Sequence, residues 1–334
     1  MSRQAVLNFL REHPDDYLSG QCISRQLGLS RTAVWKAVEA LRRDGYVIAA
    51  TTGRGYRLSG VPDALTEPEI RARLGPTERV GRTLLCFDEI GSTNTYAKEI
   101  ALSGAEDGTV VTANRQTAGR GRLGREFQSP AGKGVYLTAL LRPELPPERL
   151  LCVTALAGVA VCRAVEQVCG VRPGIKWTND LVLGGRKLCG ILTELSLEGE
   201  SGRVQYLVIG AGLNVLHTSE DFSPEVRPVA TSLAQELGRP VSRPALAAAE
   251  IAELDRLYGA LCSGRTEPYL DEYRRSCVTL GKEVQLLRPD GGREHVTALD
   301  IDGQFGLVVR REDGATAMIR SGEASVRGMY GYVE

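Results

Sequence analysis

Seven consecutive residues, Gly119 to Arg125, hold three glycines and three arginines. No helix or strand interior carries that glycine density cheaply, because each glycine loses more backbone freedom on ordering than any other residue. The segment is a loop, and its flanks constrain the fold. The run Thr109–Thr112 before it reads as a strand, and Pro130, Gly132 and Gly134 after it argue against a helix. Gly119, Gly121 and Gly124 match GxGxxG, but that fingerprint requires a strand directly before it and a helix opening within it. Here Asn114 to Ala118 intervene, and Glu144, at about the distance of a ribose contact, sits in RPELPP rather than at a strand end. GxxxxGK[ST] is absent. The parallel dinucleotide and P-loop architectures are therefore rejected. What remains is a mobile loop whose glycines let backbone N–H groups approach an anion while arginines supply charge and forked donors. An RNA-binding RG tract is the weaker reading, because the tract is single, short and flanked by strands.

The rest of the chain supports a mixed α+β fold. Thr83–Asp88 reads as a strand, followed by a helix from Asn94 to about Leu102, and residues 148–169 read as a largely apolar, buried helix. Strands follow around Ile175–Trp177, Leu181–Leu183, Leu188–Leu195 and Val204–Gly210, with Gly184-Gly185 and Ser201-Gly202 as turns. Residues 244–262 are helical again. Strands joined by tight turns imply a largely antiparallel or mixed sheet with helices against it. From about Val278, short apolar runs alternate with Asp290-Gly291, Asp302-Gly303 and Asp313-Gly314, a hairpin signal that predicts a small all-β barrel.

Residues 1–60 carry nine Lys/Arg against five acids, while the whole chain of 334 residues has a formal net charge of zero. Ala5, Leu7 and Leu10 are candidate buried positions on a first helix. Ile23 and Leu27 mark a second, which Gly28 breaks. Ser30 suits an N-cap, and Val34, Val38 and Leu41 form the buried stripe of a third helix. Trp35 fits either a packed core aromatic or a base contact, and the core reading is preferred. YVIAA and YRL are two strands around Thr51–Gly55. This is a winged helix-turn-helix pattern, preferred over a protein-interaction module because the spacing, outward polar residues and basic hairpin tip agree. Ser30, Arg31, Thr32 and Lys36 face a major groove, and Arg54 meets backbone or minor groove. VPDALTEPE, residues 61–69, reads as a linker.

The eight cysteines form no CxxC pair and mostly sit in apolar runs, and only three histidines could assist a metal. Reduced thiols in a soluble, cytoplasmic protein are the reading, with no metal centre of its own. No signal peptide or run of eighteen apolar residues is visible, so no membrane partner is expected.

QTAGRGRLGREF, together with KWTND at 176–180, GRKLCGILTE at 185–194, STN at 92–94 and GAGLN at 210–214, resembles the biotin–protein ligases. The N-terminal pattern is similar to the bifunctional members that also repress biotin synthesis. The resemblance covers essentially the whole chain in the family's order. It implies a winged helix-turn-helix over 1–63, a class II synthetase-like catalytic domain over 64–275 and an SH3-like barrel over 276–334. It implies ATP and Mg2+ as co-substrate and ion, biotin as substrate, a biotin carboxyl carrier protein of acetyl-CoA carboxylase and operator DNA as partners, and a homodimer when biotinyl-AMP is bound.

The implied chemistry explains the loop. The biotin carboxylate attacks the α-phosphorus of ATP, pyrophosphate leaves, and a carrier lysine then attacks the acyl carbon of biotinyl-5′-AMP. Arg120, Gly121, Arg122 and Arg125 would meet the developing negative charge, where such donors are worth roughly 3–4 kcal/mol each. An ordered loop would also shield the anhydride from water. Ser92, Thr93 and Asn94 resemble the family's contacts to the biotin ring, with Gln116 beside them; Ser92 equally suits the cap of the following helix. Lys176 alternates with Ile175 and Trp177 on a strand and resembles the lysine that faces the carboxylate and α-phosphate. Asn179 and Asp180 orient it or assist magnesium. Lys187 adds charge or is a surface lysine. Asn214 resembles an adenine-side contact, with residues 213–231 as a second closing loop. Two positions depart from the family pattern: Phe127 stands where tryptophan is usual, and Thr178 where proline is usual. A ligand-sensing repressor without ligase activity is the alternative, disfavoured because Lys176, Arg120 and Arg122 are present. A lipoate ligase ranks lowest.

Overall fold

A computed structural model describes residues 2–199, 201–288, 291–320, 325–328 and 332–333. Contacts divide the chain into Met1–Asp63 and Ala64–Glu334.

In the first unit, helices α1 (Ser2–Arg11), α2 (Gly20–Leu27) and α3 (Arg31–Arg43) precede the antiparallel hairpin β1 (Val47–Thr51) and β2 (Gly55–Gly60). Two serines start two of the helices: Ser19 Oγ accepts from Cys22 N at 3.0 Å and Ser30 Oγ from Ala33 N at 3.1 Å. Gly28, at φ 65°, ends α2 in the left-handed conformation that glycine adopts without penalty. The core gathers Val6, Leu7, Leu10, Ile23, Val34, Val38 and Leu41. On α1, Val6 is buried and the expected Ala5 only half-buried, because the buried face runs 6, 7, 10. Trp35 is the larger correction. It is 54% exposed rather than packed, because Val34, Ala37, Val38 and Leu41 define the inward face and one further residue turns it away. Gly55 is required where it stands: a Cβ there would lie 2.1 Å from the Leu18 carbonyl oxygen, which accepts from Tyr56 N.

The second unit begins earlier than a linker over 61–69 allows. Leu65 and Ile70 are buried in the main core, and α4 (Glu67–Arg71) starts there. Pro68 falls in the first helical turn, where a missing N–H costs nothing. The main sheet comprises β3 (Leu84–Ile90), β4 (Thr109–Gln116), β5 (Gly134–Leu141), β6 (Gly174–Lys176), β7 (Asp180–Leu183), β8 (Arg186–Leu197) and β9 (Val204–Asn214). Its order is β3-β4-β5-β9-β8-β7-β6, parallel between β3 and β4 and antiparallel elsewhere. Helix α5 (Thr93–Leu102) links the parallel pair and packs Ala97 and Ala101 with Val111, Leu140 and Val208. Helices α6 (Val153–Cys169) and α8 (Arg243–Ser263) join the larger core with Leu137, Ala139 and Ile209. Strand β5 is thus covered on both faces and buried throughout. The sequence pattern marks no range for this strand after the loop, because a doubly covered strand shows no alternation.

The segment Pro147–Cys169 reaches a mean hydropathy of 1.6, long and apolar enough by composition to cross a membrane, although Arg163 and Glu166 interrupt it. Here α6 is a core helix with most of its residues buried. Helices α7 (Leu233–Leu237) and α9 (Glu267–Ser276) follow. Strands β10 (Glu283–Leu287), β11 (Arg293–Ile301), β12 (Leu307–Arg311), β13 (Thr316–Ile319) and β14 (Ser325–Gly328) make an antiparallel sheet in the order β13-β12-β11-β10-β14. It shares the large core, and the Trp177 indole donates to the Phe305 carbonyl at 3.1 Å. Asp313-Gly314 turns between β12 and β13, with Gly314 at φ 83°; the expected turn residue Asp290 lies outside the described residues.

Candidate active site

Three glycines open a groove against the sheet. The would-be Cβ of Gly210 lies 1.9 Å from Asn94 Oδ1, that of Gly212 lies 2.5 Å from the Phe127 ring, and that of Gly190 lies 3.3 Å from the end of Lys187. Ser92, Thr93, Asn94, Gln116 and Arg120 line the groove with them. Its polar groups are fixed by one another. Gln116 Oε1 accepts from the Thr93 backbone N–H at 2.8 Å and from its hydroxyl at 3.1 Å, and Gln116 Nε2 donates to Ser129 Oγ at 2.8 Å. Asn94 Nδ2 donates to Leu192 O at 3.2 Å and to Glu194 at 3.1 Å, and Glu194 pairs with Lys98. Thr138 places its hydroxyl 2.7 Å from Asn94 Oδ1 and 2.9 Å from Thr93 Oγ1. Ser92 caps α5, accepting from Thr95 N at 3.4 Å.

Arg120, Phe127, Gly190 and Leu192 also border a larger cavity of about 510 Å³. Lys176, Arg122, Arg125, Asn179, Asp180 and Lys187 line it, with Gly121 from the loop, Glu225 and Val229 from the segment after β9, and Arg327 and Tyr332 from the C-terminal segment. The loop enters through Gly119, where a Cβ would meet the Phe127 carbonyl oxygen at 2.3 Å. Arg122 Nη1 donates to Asn179 Oδ1 at 2.7 Å, and burial pulls the Arg122 guanidinium below its ordinary value. Lys176 is 6% exposed, and burial brings its ammonium down to about 8, with Asp180 partly opposing. Burial alone would raise the Asp180 carboxyl. Lys187 at 2.7 Å and the Tyr332 hydroxyl, which donates to Asp180 Oδ2, outweigh it and hold it below the usual carboxylate range.

Asn214 stands apart from both cavities. Its side chain is 4% exposed, and its Nδ2 donates to the Thr231 carbonyl at 3.0 Å, tying the end of β9 to the segment that returns past it. That segment is also stitched to β8: Lys187 N donates to Val229 O, and Thr231 N to Lys187 O. Asp180 is held by Lys187 and Tyr332 rather than by Lys176, and among the described residues no cluster of His, Cys, Asp and Glu could hold a metal ion. The sequence reading missed Thr138, Ser129 and Tyr332. Thr138 sits on the strand whose range the sequence pattern leaves unmarked, and Tyr332 reaches the site only through the fold.

In the N-terminal unit, Ser30, Arg31, Thr32 and Lys36 are all exposed at the start of α3, Ser30 through its capping role. Trp35 joins them on the surface. Arg54 is exposed at the hairpin tip, and its guanidinium lies 4.5 Å from the Tyr17 ring centroid, with that of Arg57 at 4.8 Å from the same ring.

A glycine-floored polar groove opening beside a cation-lined cavity, carried by a chain that begins with a winged helix-turn-helix, defines an acid-activating ligase joined to a DNA-binding module. Residues 86–214 match the biotin/lipoate A/B protein ligase family and residues 2–57 match an HTH domain. The chain is 36% identical to the bifunctional ligase/repressor BirA of Bacillus spizizenii over 93% of its own length and 95% of that protein. It is 30% identical to that of Escherichia coli over 93% and 94% of the two chains. Among solved structures, the biotin protein ligase from Aquifex aeolicus in complex with biotin and ATP superposes with a TM-score of 0.63 at 27% identity, covering 74% of this chain and 99% of that one. The chain belongs to the biotin–protein ligases, in the group of bifunctional ligase/repressors.

Proposed function

We propose that the chain activates biotin with ATP to give biotinyl-5′-AMP, passes the biotinyl group to a lysine of a biotin carboxyl carrier protein, and acts as a biotinyl-AMP-dependent repressor of biotin-synthesis genes. In the first step a carboxylate oxygen of biotin bonds to the α-phosphorus and the bond to pyrophosphate breaks. In the second, the carrier amine bonds to the acyl carbon, AMP leaves and the amine loses a proton. Ser92, Thr93, Asn94 and Gln116 hold the ring of biotin in the groove. Lys176 meets the carboxylate and α-phosphate. Arg120, Arg122 and Arg125, with the Gly121 amide, stabilise the charge that develops on the phosphates, and Lys187 adds to that field. Asn179 holds Arg122. Asn214 acts on the adenine side through the segment it ties down. Mg2+ enters with the nucleotide as its phosphate chelate.

The observation that carries this reading is the convergence of Lys176, Arg122, Arg125 and Lys187 on one cavity that abuts the glycine-floored groove. Ordering of the loop around the adenylate favours a homodimer, which would set two winged helices on two half-sites; ligand free energy then offsets the ordering cost. The protein works in the cytoplasm. The test is incubation with biotin, ATP, magnesium and a carrier domain. Covalent biotin on the carrier is expected; its absence would leave only a ligand-sensing repressor.

A further inference from the structure

The nearest strand partner of Lys176 is Asp180, which sits across from it in the β6–β7 pairing. A buried ammonium beside a buried carboxylate normally closes into an ion pair. Here it does not: Asp180 Oδ1 is taken by Lys187 at 2.7 Å, and Oδ2 accepts from the Tyr332 hydroxyl. Lys176 Nζ instead lies 3.6 Å from the centroid of the Tyr332 ring. Among the described residues no hydrogen bond or ion pair engages the Lys176 ammonium. The residue after Tyr332 is anchored as well, with Lys282 Nζ donating to the Val333 carbonyl at 2.8 Å.

An aromatic face and a carboxylate treat an ammonium differently. The ring quadrupole stabilises the positive charge without accepting hydrogen bonds of ordinary strength. An ammonium has three donors and no acceptor, so one resting on a ring keeps its donors for another group. A carboxylate would consume them.

On the ligase reading above, we propose that Tyr332 is a positioning residue for the activation step: its ring cradles the Lys176 ammonium and its hydroxyl anchors that ring on Asp180, so Lys176 meets the biotin carboxylate and α-phosphate with its donors free. Tyr332 therefore acts through Lys176, and its loss weakens the transition state more than it weakens the bound substrates. Tyr332, 156 residues along the chain from Lys176, thereby becomes part of the activating site.

The test compares the full chain with Tyr332→Leu and Tyr332→Phe by biotin-dependent exchange of labelled pyrophosphate into ATP. The expected result is a fall of about thirtyfold in kcat for Tyr332→Leu, the scale of a desolvated cation–π contact, with KM for biotin and the thermal midpoint unchanged. Tyr332→Phe keeps the ring and retains most of the rate. Equal rates in the natural chain and Tyr332→Leu would overturn the role of Tyr332 and leave the ligase reading intact. So would a Tyr332→Phe loss as deep as that of leucine, or a biotin affinity that falls in step with kcat. No exchange in the natural chain would overturn the ligase reading and this inference together.

Discussion

Arg122 Nη1 donates to Asn179 Oδ1 across 2.7 Å, joining the arginine–glycine loop to the turn between β6 and β7, 57 residues further along the chain. The bond fixes the middle of a loop that is otherwise mostly exposed: Leu123, at φ 56°, is 71% exposed, and Arg120 and Arg125 are exposed at the cavity they border. A loop held at one arginine is ready to fold over a phosphate without being locked there.

Arg122→Gly should therefore loosen retention of the adenylate. It removes both the anchor and a forked cation, and a hydrogen bond to a charged group is worth about 1.5–3 kcal/mol. Release of biotinyl-AMP, followed by rapid mixing with carrier-free trap, should accelerate roughly ten- to hundredfold at that scale. Asn179→Ala removes the anchor and leaves the guanidinium, so its effect should be smaller. Equal release from the natural chain and Arg122→Gly would exclude Arg122 from holding the intermediate.

The groove floor gives an ordered series. A methyl group at Gly210 collides with Asn94 Oδ1 at 1.9 Å, and Asn94 cannot retreat because Leu192, Glu194 and Thr138 hold it. Gly210→Ala should weaken biotin binding by about ten- to hundredfold, the cost of breaking one or two buried hydrogen bonds. A methyl at Gly190 meets the flexible end of Lys187 at 3.3 Å, so Gly190→Ala should be far milder. Biotin titration by calorimetry of the two variants checks the order; equal losses would mean the groove is not where biotin lies.

Much of this site was legible because its parts are local. The arginine–glycine loop, STN, KWTND and GAGLN each declare a conformational need within a few residues: left-handed or crowded glycine, a helix cap, an alternating strand lysine. What escaped depends on distant packing. Strand β5 hides because helices cover both its faces, and Thr138 hides with it. Leu65 lies in the stretch whose prolines resemble a linker and Ile70 directly follows it, yet the core takes both in. Trp35 was misjudged by residue type: a large aromatic suggests a core, but its angular place on α3 turns it outward. Nothing near Tyr332 in sequence announces that its hydroxyl meets Asp180.

The exposed indole leads to a prediction about DNA. Trp35 stands on the surface of α3 beside Arg31, Thr32 and Lys36, where burial gives it no structural duty. Trp35→Ala should leave the thermal midpoint unchanged and weaken operator binding, measured by fluorescence anisotropy with biotin and ATP present. Lys36→Ala should lower the salt dependence of binding by about one unit of slope, as loss of one phosphate contact requires. Removing residues 2–63 should abolish operator binding while leaving ligation measurable. Full operator affinity in that truncated chain would refute the assignment of the N-terminal unit.

Glu250 supplies a stability prediction away from the chemistry. It lies on α8 at 1% exposure, and neither carboxyl oxygen has a hydrogen-bond partner among the described residues. Burial raises its pKa to about 8, so it is protonated in the folded chain at neutral pH. Unfolding exposes it to water, where it ionises near the ordinary value of 4.5. A folded pKa above the unfolded one means the contribution is fully present below about 4.5 and drains away as pH rises toward 8. At roughly 1.4 kcal/mol per unit of pKa difference, the span amounts to several kcal/mol as an upper bound. Glu250→Met, apolar and of similar volume, removes the titrating group. Urea unfolding of the two chains should show little difference near pH 4.5 and a growing advantage for Glu250→Met up to pH 8, after which the gap stays constant. A pH-independent difference would mean that Glu250 ionises alike in both states and that its burial carries no proton linkage.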